Sequence, residues 1–174
     1  QDMAAVVARS RHNALANNPH AQLKGQPEIS DLLAQETWVS PLRKHDCCPI
    51  SDGAAAMVIC TVEKAQQWGV PFARISGIDH RIETPNIGAR DLTRSVSTEL
   101  AAAAAGAHNG PIEVAELYAP FSHQEIILSR ALQLGQDTLV NPSGGVLAGN
   151  LMMASGLSRI GEIASRIMAG EIKR

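Results

Sequence analysis

The chain has 174 residues, of which 45% are hydrophobic, and a formal net charge of −2. This length fits one domain with a real core, and the mixing of acidic and basic residues excludes the basic patches that bind nucleic acid or membrane surfaces. No apolar run reaches the roughly 18 residues of a transmembrane helix and no signal peptide opens the chain, so a cytoplasmic protein is expected.

The predicted elements alternate between helices and extended segments. Residue periodicity predicts helices over 3–16, 30–35, 62–68, 93–105 and 122–134, and a final one from Leu157 to just before Gly170. Extended structure is predicted at 38–42, 54–61, 73–82 and 114–118. The stretch 54–61 is a continuous apolar run of strand length, which is typical of a strand covered on both faces. This order favours a layered α/β domain over a helical bundle.

Local signals mark the helix boundaries and faces. Ser122 and Glu125 have the spacing of a capping box, which places Ser122 at the N-cap. The first helix is predicted to bury an apolar side made of Met3, Val6, Val7, Ala14 and Leu15.

Three cysteines are present, at positions 47, 48 and 60. An odd number in a chain of this size argues against a disulfide framework and for a reducing compartment. Cys47 and Cys48 lie near His45, which suggests a metal site. Metal-binding cysteines are normally two to four residues apart, however, so we expect no metal.

The stretch from Val140 to Gly156 reads V-N-P-S-G-G-V-L-A-G-N-L-M-M-A-S-G and leads into a helical pattern. Gly144, Gly145 and Gly149 lack a Cβ and so let the backbone approach a ligand closely. The helix that follows directs its free N–H groups toward the same space. Ser51 and Ser143 either add hydrogen bonds to a ligand or are turn residues. The stretch contains no His, Cys, Asp, Glu, Lys or Arg.

Three segments together resemble the C-terminal half of a thiolase-superfamily protein, of the sterol-carrier or nonspecific lipid-transfer-protein type. The segments are P-L-R-K-H-D-C-C-P-I-S-D-G-A-A-A at 41–56, E-L-Y-A-P-F-S-H-Q-E at 116–125 and the glycine-containing stretch from Val140. The second is similar to the family's His-Asp-Cys-Phe motif, and the third to its Asn-Pro-Ser-Gly-Gly…Gly-His-Pro loop. Their order and spacing agree over about residues 40–168.

The resemblance implies a particular fold and partner. Family members have two similar five-stranded α/β halves, carry the nucleophilic cysteine in the N-terminal half and end in further strands. Residues 1–174 are therefore expected to form one incomplete thiolase-like C-terminal domain, a layered αβα structure with a mixed sheet that lacks the final strands. The N-terminal half or a partner subunit would complete it, in a homo- or hetero-oligomer.

The resemblance also implies chemistry on an acyl-CoA substrate. Coenzyme A enters as part of that substrate, and no separate cofactor is expected. In the family a thiolate attacks a thioester, an oxyanion hole stabilises the charge, and an acid/base group moves a proton at the α-carbon.

Two of the family's catalytic positions are changed in this chain. Asn150 stands where the Gly-His-Pro histidine is expected. Its amide can donate to an oxyanion but cannot act as a base, and it can equally cap the following helix. Tyr118 and Pro120 stand at the histidine and cysteine of His-Asp-Cys-Phe, so the family's acid/base cysteine is missing.

Replacements for the missing acid/base lie close by in the sequence. The Tyr118 phenol is either a donor or acid, or a packed side chain with its hydroxyl at the surface. His123, in the first turn of a helix whose positive end favours a neutral imidazole, is either a base or a solvent-exposed residue. By resemblance Cys47 and Cys48 belong to a loop that lines the pantetheine tunnel, and from the residues alone they are small buried thiols.

These observations lead to competing hypotheses for function. The first is part of an acyl-CoA-binding enzyme that performs acyl transfer or C–C bond cleavage, thiolytic or retro-aldol, in lipid or sterol metabolism. The second is a non-catalytic, degenerate thiolase subunit that acts as a scaffold in a larger complex. A lipid-carrier module is disfavoured, because the glycine loop is polar and no signature of an aromatic-lined cavity is evident.

Overall fold

The computed structural model describes residues 1–173 and has a mixed α/β fold. Six α-helices and four short strands follow one another along the chain. The helices are α1 (Asp2–Asn17), α2 (Ile29–Ala34), α3 (Val62–Trp68), α4 (Val96–Ala104), α5 (Ser122–Ala131) and α6 (Ser155–Met168). The strands are β1 (Thr37–Val39), β2 (Leu42–Arg43), β3 (Val114–Ala115) and β4 (Leu139–Val140). Short 3-10 helices lie at Lys44–Asp46, Ile87–Ala89 and Met152–Ala154.

The helices agree with the sequence prediction because each carries its own local signals. In α3, for example, the Thr61 hydroxyl caps the first turn by accepting from Lys64 N at 3.2 Å. Gly69 ends the same helix with φ of +66°, a conformation that costs glycine little. The α/β class and all six helices are thereby confirmed.

The core lies where α1 packs on α2 and α5. Its buried cluster consists of Ala4, Val6, Val7, Leu32 and Leu147. The prediction for α1 was wrong at Leu15, whose exposed fraction is 49%. The buried face instead continues through Ser10, Asn13 and Ala14, because it packs against polar backbone of the segment that follows β4.

The sheets are smaller than expected. β1 and β2 form an antiparallel pair, and β3 and β4 form a parallel pair. The second pair includes a strand at Leu139–Val140 that sequence periodicity missed, since a two-residue strand has no measurable alternation.

The predicted strands at 54–61 and 73–82 were wrong: within residues 1–173 neither stretch pairs with a neighbour or has regular secondary structure. A strand needs a hydrogen-bonding partner, and none of the described segments supplies one. Their apolar side chains are consequently uncovered, with exposed fractions of 81% for Val58 and 86% for Ile78. We call 54–61 and 73–82 the central stretches.

Candidate functional site

The candidate site is built around the segment 141–151, which we call the glycine loop. It leaves β4 where the strand pairs with β3, and Asn141 N donates to Ala115 O at 2.8 Å. Residues 141–148 are buried, and so is Asn150. The loop is therefore packed inside the domain and is not a surface lid.

Asn141 anchors the start of the glycine loop. Its φ is +49°, and its side chain is buried. The Oδ1 atom accepts from Leu117 N at 2.6 Å, and Nδ2 donates to Glu125 Oε2 at 2.6 Å. One amide thus joins the loop to the chain after β3 and to α5.

Glu125 is the buried acid of this network, with an exposed fraction of 2%. Arg9 of α1 donates to its Oε1 atom. Burial raises the pKa of Glu125, although Arg9 and Asn141 act in the opposite direction. The predicted capping box was wrong by one residue: α5 begins after Phe121, whose N–H donates to Gln124 Oε1 at 3.1 Å. Glu125 is thereby free to turn inward.

A second buried acid, Glu116, fixes Ser143. Ser143 donates to it through both its N–H, at 2.9 Å, and its hydroxyl, at 3.0 Å. Arg159 of α6 donates to Glu116 Oε2 at 2.7 Å and also to the Ser143 hydroxyl. The Ser143 hydroxyl is thus hydrogen-bonded to both Glu116 and Arg159.

The glycines at the centre of the loop are required by packing. A Cβ on Gly144 would lie 2.6 Å from Ala14 Cβ and 2.7 Å from Ala148 Cβ, and its φ is +90°. A Cβ on Gly145 would lie 2.8 Å from the Asn141 side chain. At Gly149 the nearest atom would be Ser51 Oγ at 3.7 Å, which is an ordinary contact. A ligand-binding role of these glycines stays a prediction.

Asn150 lies at the end of the glycine loop and is buried. Its Oδ1 accepts from Met152 N at 3.1 Å and from Ser155 Oγ at 2.9 Å, so it caps the start of the following helical turns. Its Nδ2 donates to Cys48 Sγ at 3.1 Å and, at 3.9 Å, to Met152 Sδ. Oxygen and nitrogen of the amide therefore have separate tasks.

Ser51 joins the Asn150 region to the segment that carries the two adjacent cysteines. Its hydroxyl accepts from Asn150 N at 3.2 Å and donates to Gln22 Oε1 at 2.6 Å. Its own N–H donates to Asn150 O at 2.9 Å. The structure therefore brings Ser51, Gly149 and Asn150 together, as a shared site requires.

The adjacent cysteines lie between this site and the segment before α5. Cys48 N donates to Pro120 O at 2.8 Å, and Cys47 forms an isolated antiparallel bridge with Phe121. Burial, with help from Asp46 and Cys48, raises the pKa of the Cys47 thiol, which disfavours a thiolate there. The described residues contain no group of three or more His, Cys, Asp or Glu side chains arranged to hold a metal ion.

Tyr118 and His123 share a separate cavity of about 440 Å³, whose lining also includes Pro120, Arg90 and Arg94. Tyr118 is 47% exposed. His123 Nδ1 is buried without a hydrogen-bond partner among the described residues, and its ring lies 5.8 Å from that of Phe121. The two arginines pair with Glu83 and Glu99, at 3.1 and 2.7 Å.

The predicted site residues thus form two groups that meet at Cys48. One is Asn150 with Ser51 and Gly149; the other is Tyr118 with His123. Cys48 contacts Asn150 through its sulfur and Pro120 through its backbone. Sequence analysis missed Asn141, Glu116 and Arg159 as organisers of the loop. Their partners are 16 to 43 residues away in the chain, and the sequence contains no local signal for such pairs.

The chain is thus an α/β domain whose buried glycine loop leads through Asn150 into a helix. The curated proteins to which it is similar include a thiolase subunit and an acetyltransferase. The chain is 28% identical to the benzoylsuccinyl-CoA thiolase subunit BbsB of Thauera aromatica over 183 residues, which cover 92% of the chain and 47% of the relative. It is 28% identical to the acetyl-CoA acetyltransferase of Methanothermobacter thermautotrophicus, over 100% of the chain and 51% of that protein.

Sterol carrier protein 2 of Homo sapiens is also similar, with 24% identity over 98% of the chain and 36% of its own length. These relatives confirm the resemblance to the thiolase superfamily that the three sequence segments predicted. The chain spans between about a third and a half of the length of the curated relatives it matches. No protein-family model matches the chain. None of the helices in residues 1–173 has the length and apolar character needed to cross a membrane.

Proposed function

We propose that residues 1–174 form the C-terminal part of a thiolase-like unit that binds an acyl-CoA. The unit performs acyl transfer or C–C bond cleavage, thiolytic or retro-aldol, in lipid or sterol metabolism. This assignment is supported by relatives that are named as a CoA thiolase, an acetyl-CoA acetyltransferase and a sterol carrier protein.

The observation that carries the proposal is the position of the Asn150 amide nitrogen. Its N–H groups face the sulfur atoms of Cys48 and Met152, and thioether and thiol sulfur are weak acceptors. A thioester oxygen that gains negative charge is a far stronger acceptor and displaces sulfur from this donor. Asn150 is thereby suited to stabilise an enolate or oxyanion, while its oxygen holds the helix start in place.

Proton transfer falls to Tyr118 or His123. Both line the same cavity, and His123 Nδ1 has no hydrogen-bond partner among the described residues. Because Pro120 replaces the family's cysteine, no thiol occupies this position. The cavity adjoins the Asn150 region through Cys48, so a substrate that extends across Cys48 reaches both groups.

The remaining part of the unit covers the central stretches. Val58 and Ile78 are far more exposed than apolar residues of strand-forming sequence normally are. An N-terminal thiolase half or a partner subunit that supplies strands and the nucleophile would bury them. Where the cover is a separate subunit, the unit is a homo- or hetero-oligomer.

One observation favours the alternative, a non-catalytic scaffold subunit. The Asn150 oxygen is fully used by Met152 N and Ser155 Oγ, as a purely structural cap requires. On this hypothesis the amide nitrogen has no ligand, and the loop serves only to pack α6 against the domain.

The substitution Asn150→Asp separates the two roles. Aspartate keeps the capping oxygen but replaces the N–H donor. In the complete protein, with any partner half or subunit, we expect turnover of acyl-CoA to fall by roughly 10²–10³-fold. Thermal stability should fall as well, because a carboxyl group is buried at this position, so turnover is compared at a temperature at which both proteins are folded. Asn86→Asp is the matched control, since Asn86 Oδ1 also caps a 3-10 helix, accepting from Gly88 N at 3.1 Å on the surface.

The same protein is incubated with acyl-CoA and analysed by mass spectrometry. An acylated cysteine identifies the thiolytic reaction, and cleavage products without an acylated cysteine identify the retro-aldol reaction. If the wild type turns over no CoA ester and binds no CoA, the enzyme proposal is wrong and the scaffold hypothesis stands. If Asn150→Asp retains full turnover, Asn150 is not the oxyanion donor.

A further inference from the structure

A second, larger cavity lies between α6 and the segment 56–75, away from the Tyr118 and His123 cavity. Its volume is about 630 Å³, within the range of small-molecule sites. The lining is predominantly apolar and includes Met57, Trp68, Phe72, Ile160, Ile163 and Ile167. The sequence had offered no signature of an aromatic-lined cavity. Trp68 and Phe72 supply two aromatic side chains to this lining.

A buried polar group is present in the lining. The Arg159 side chain is 12% exposed, and its Nε atom is buried without a hydrogen-bond partner among residues 1–173. A buried donor without an acceptor costs roughly 1–3 kcal/mol, so its presence points to a ligand that supplies an acceptor. Arg159 belongs to the lining together with Glu116 and the solvent-exposed Arg74.

The charges at this end decide what kind of acceptor fits. Arg159 Nη1 donates to Glu116 Oε2 at 2.7 Å, and the Glu116 side chain is 1% exposed. The guanidinium charge is therefore already neutralised by a carboxylate. A second carboxylate would lie next to Glu116 in a low-dielectric site, where like charges repel strongly. An uncharged oxygen meets the free Nε without that cost.

We propose that this cavity binds an elongated apolar molecule that carries one uncharged hydrogen-bond acceptor, such as an ester or ketone carbonyl, directed at Arg159 Nε. The apolar body lies along α6, against Ile163 and Ile167, and toward Trp68. The proposal requires binding alone and uses a different cavity from the catalytic one. Met57 and Ile75 of the central stretches are in its lining, so it rests on the proposed function in one respect: the part of the unit that covers those stretches leaves the cavity open. Arg159 links this cavity to the glycine loop through its hydrogen bond to the Ser143 hydroxyl.

The test uses two fluorescent polyene probes that differ in charge, cis-parinaric acid methyl ester and cis-parinaric acid, at about pH 8, where the acid is a carboxylate. The complete protein is titrated with each. We expect the ester to bind at least roughly tenfold more tightly than the acid, because only the acid must desolvate a charge beside Glu116. Equal binding of both probes would overturn the proposed role of the neutralised arginine.

Gly161→Leu tests the location of the bound probe. Gly161 lines the cavity, and a Cβ there meets nothing within 4 Å, so leucine enters open space without disturbing the backbone. We expect ester binding to weaken by roughly tenfold or more, as bulk replaces ligand volume. Gly156→Leu is the matched control: it lies on the same helix, also has an open Cβ position and is outside the cavity lining.

Arg159→Lys then tests the acceptor. Lysine keeps the positive charge for Glu116 but has no Nε–H, so ester affinity should fall by roughly tenfold or more, the loss of one hydrogen bond from a charged donor, while affinity for the acid changes less. Unchanged ester binding in both Gly161→Leu and Arg159→Lys overturns the proposal. Absence of any ester binding to the complete protein also overturns it, and indicates that another polypeptide segment fills the cavity.

Discussion

The glycine loop and the central stretches are both rich in small or apolar residues, yet they behave oppositely. Residues 141–148 of the loop are buried, and backbone or side-chain hydrogen bonds to three helices hold them. The central stretches are mostly exposed and have no strand partner within residues 1–173. The loop is completed by residues of this chain, whereas the central stretches find no strand partner among the residues that the structure describes. One segment can therefore be fully packed and hydrogen-bonded in a domain whose predicted central strands are unpaired.

The largest expected effect comes from a substitution in the buried glycine loop. Gly144→Ala introduces a Cβ within 3 Å of Ala14, Ala148 and Ser10 O at a φ of +90°. Overpacking and the left-handed backbone together should lower the free energy of unfolding by about 3 kcal/mol. Urea denaturation of the complete protein measures the change.

Gly161→Ala is the control for the Gly144 substitution. Its Cβ meets nothing within 4 Å and it lies inside α6, so alanine should stabilise the protein by up to about 1 kcal/mol. A Gly144→Ala protein as stable as wild type would show that α1 does not pack against the loop as described.

A smaller and different effect is expected from a substitution in the exposed central stretches. Ile78 is 86% exposed, so Ile78→Asp should change the folding of this chain by no more than about 0.5 kcal/mol. If a partner half covers Ile78, the same substitution should weaken that contact roughly tenfold to hundredfold. Hydrogen exchange of amides 73–82 in the complete protein reports the contact, whether the cover is a separate subunit or part of the same polypeptide.

The control for Ile78→Asp is Ile87→Asp, at a 64% exposed position outside the central stretches. We expect slow exchange at 73–82 in the wild type and in Ile87→Asp, and faster exchange in Ile78→Asp. Rapid exchange in the wild-type complete protein would contradict the idea that another half pairs with these residues.

The same contrast explains what the sequence could predict. Helices were found because capping residues and apolar periodicity lie within one segment, as at Thr61 and Gly69 of α3. The strand at 54–61 was expected from a continuous apolar run and the strand at 73–82 from residue alternation, but pairing depends on a distant partner that neither pattern identifies. In the site, Asn150 and Ser51 were predicted and lie together.

The supporting network of the site could not be predicted in the same way. The spacing of Ser122 and Glu125 suggested a capping box, while the structure uses Gln124 for that task. Ser122 instead donates to Asp46 at 2.6 Å, and Glu125 binds Asn141. Only the three-dimensional arrangement distinguishes two acceptable caps one residue apart.

The smallest effect is a pH dependence at the centre of this network. Burial raises the pKa of Glu125 above its ordinary value of 4.5, so between about pH 4.5 and the raised pKa the native state binds more of this proton than the unfolded state does. The associated stability is fully present below about pH 4.5 and is lost as the pH rises through the raised native pKa. Glu125→Gln keeps an acceptor for Asn141 and cannot titrate, so its free energy of unfolding should lack that decline.

The measurement is a series of urea denaturations across pH, with the difference between wild type and Glu125→Gln taken at each value. Glu162→Gln is the control, since Glu162 pairs with Arg166 at the helix surface at 3.0 Å. Arg9→Met sharpens the test, because Arg9 opposes the rise in the pKa of Glu125 and its removal should move the decline to higher pH. Parallel curves for wild type and Glu125→Gln would mean that burial does not control this carboxyl, and that the glycine loop is anchored by Asn141 without help from a protonated acid.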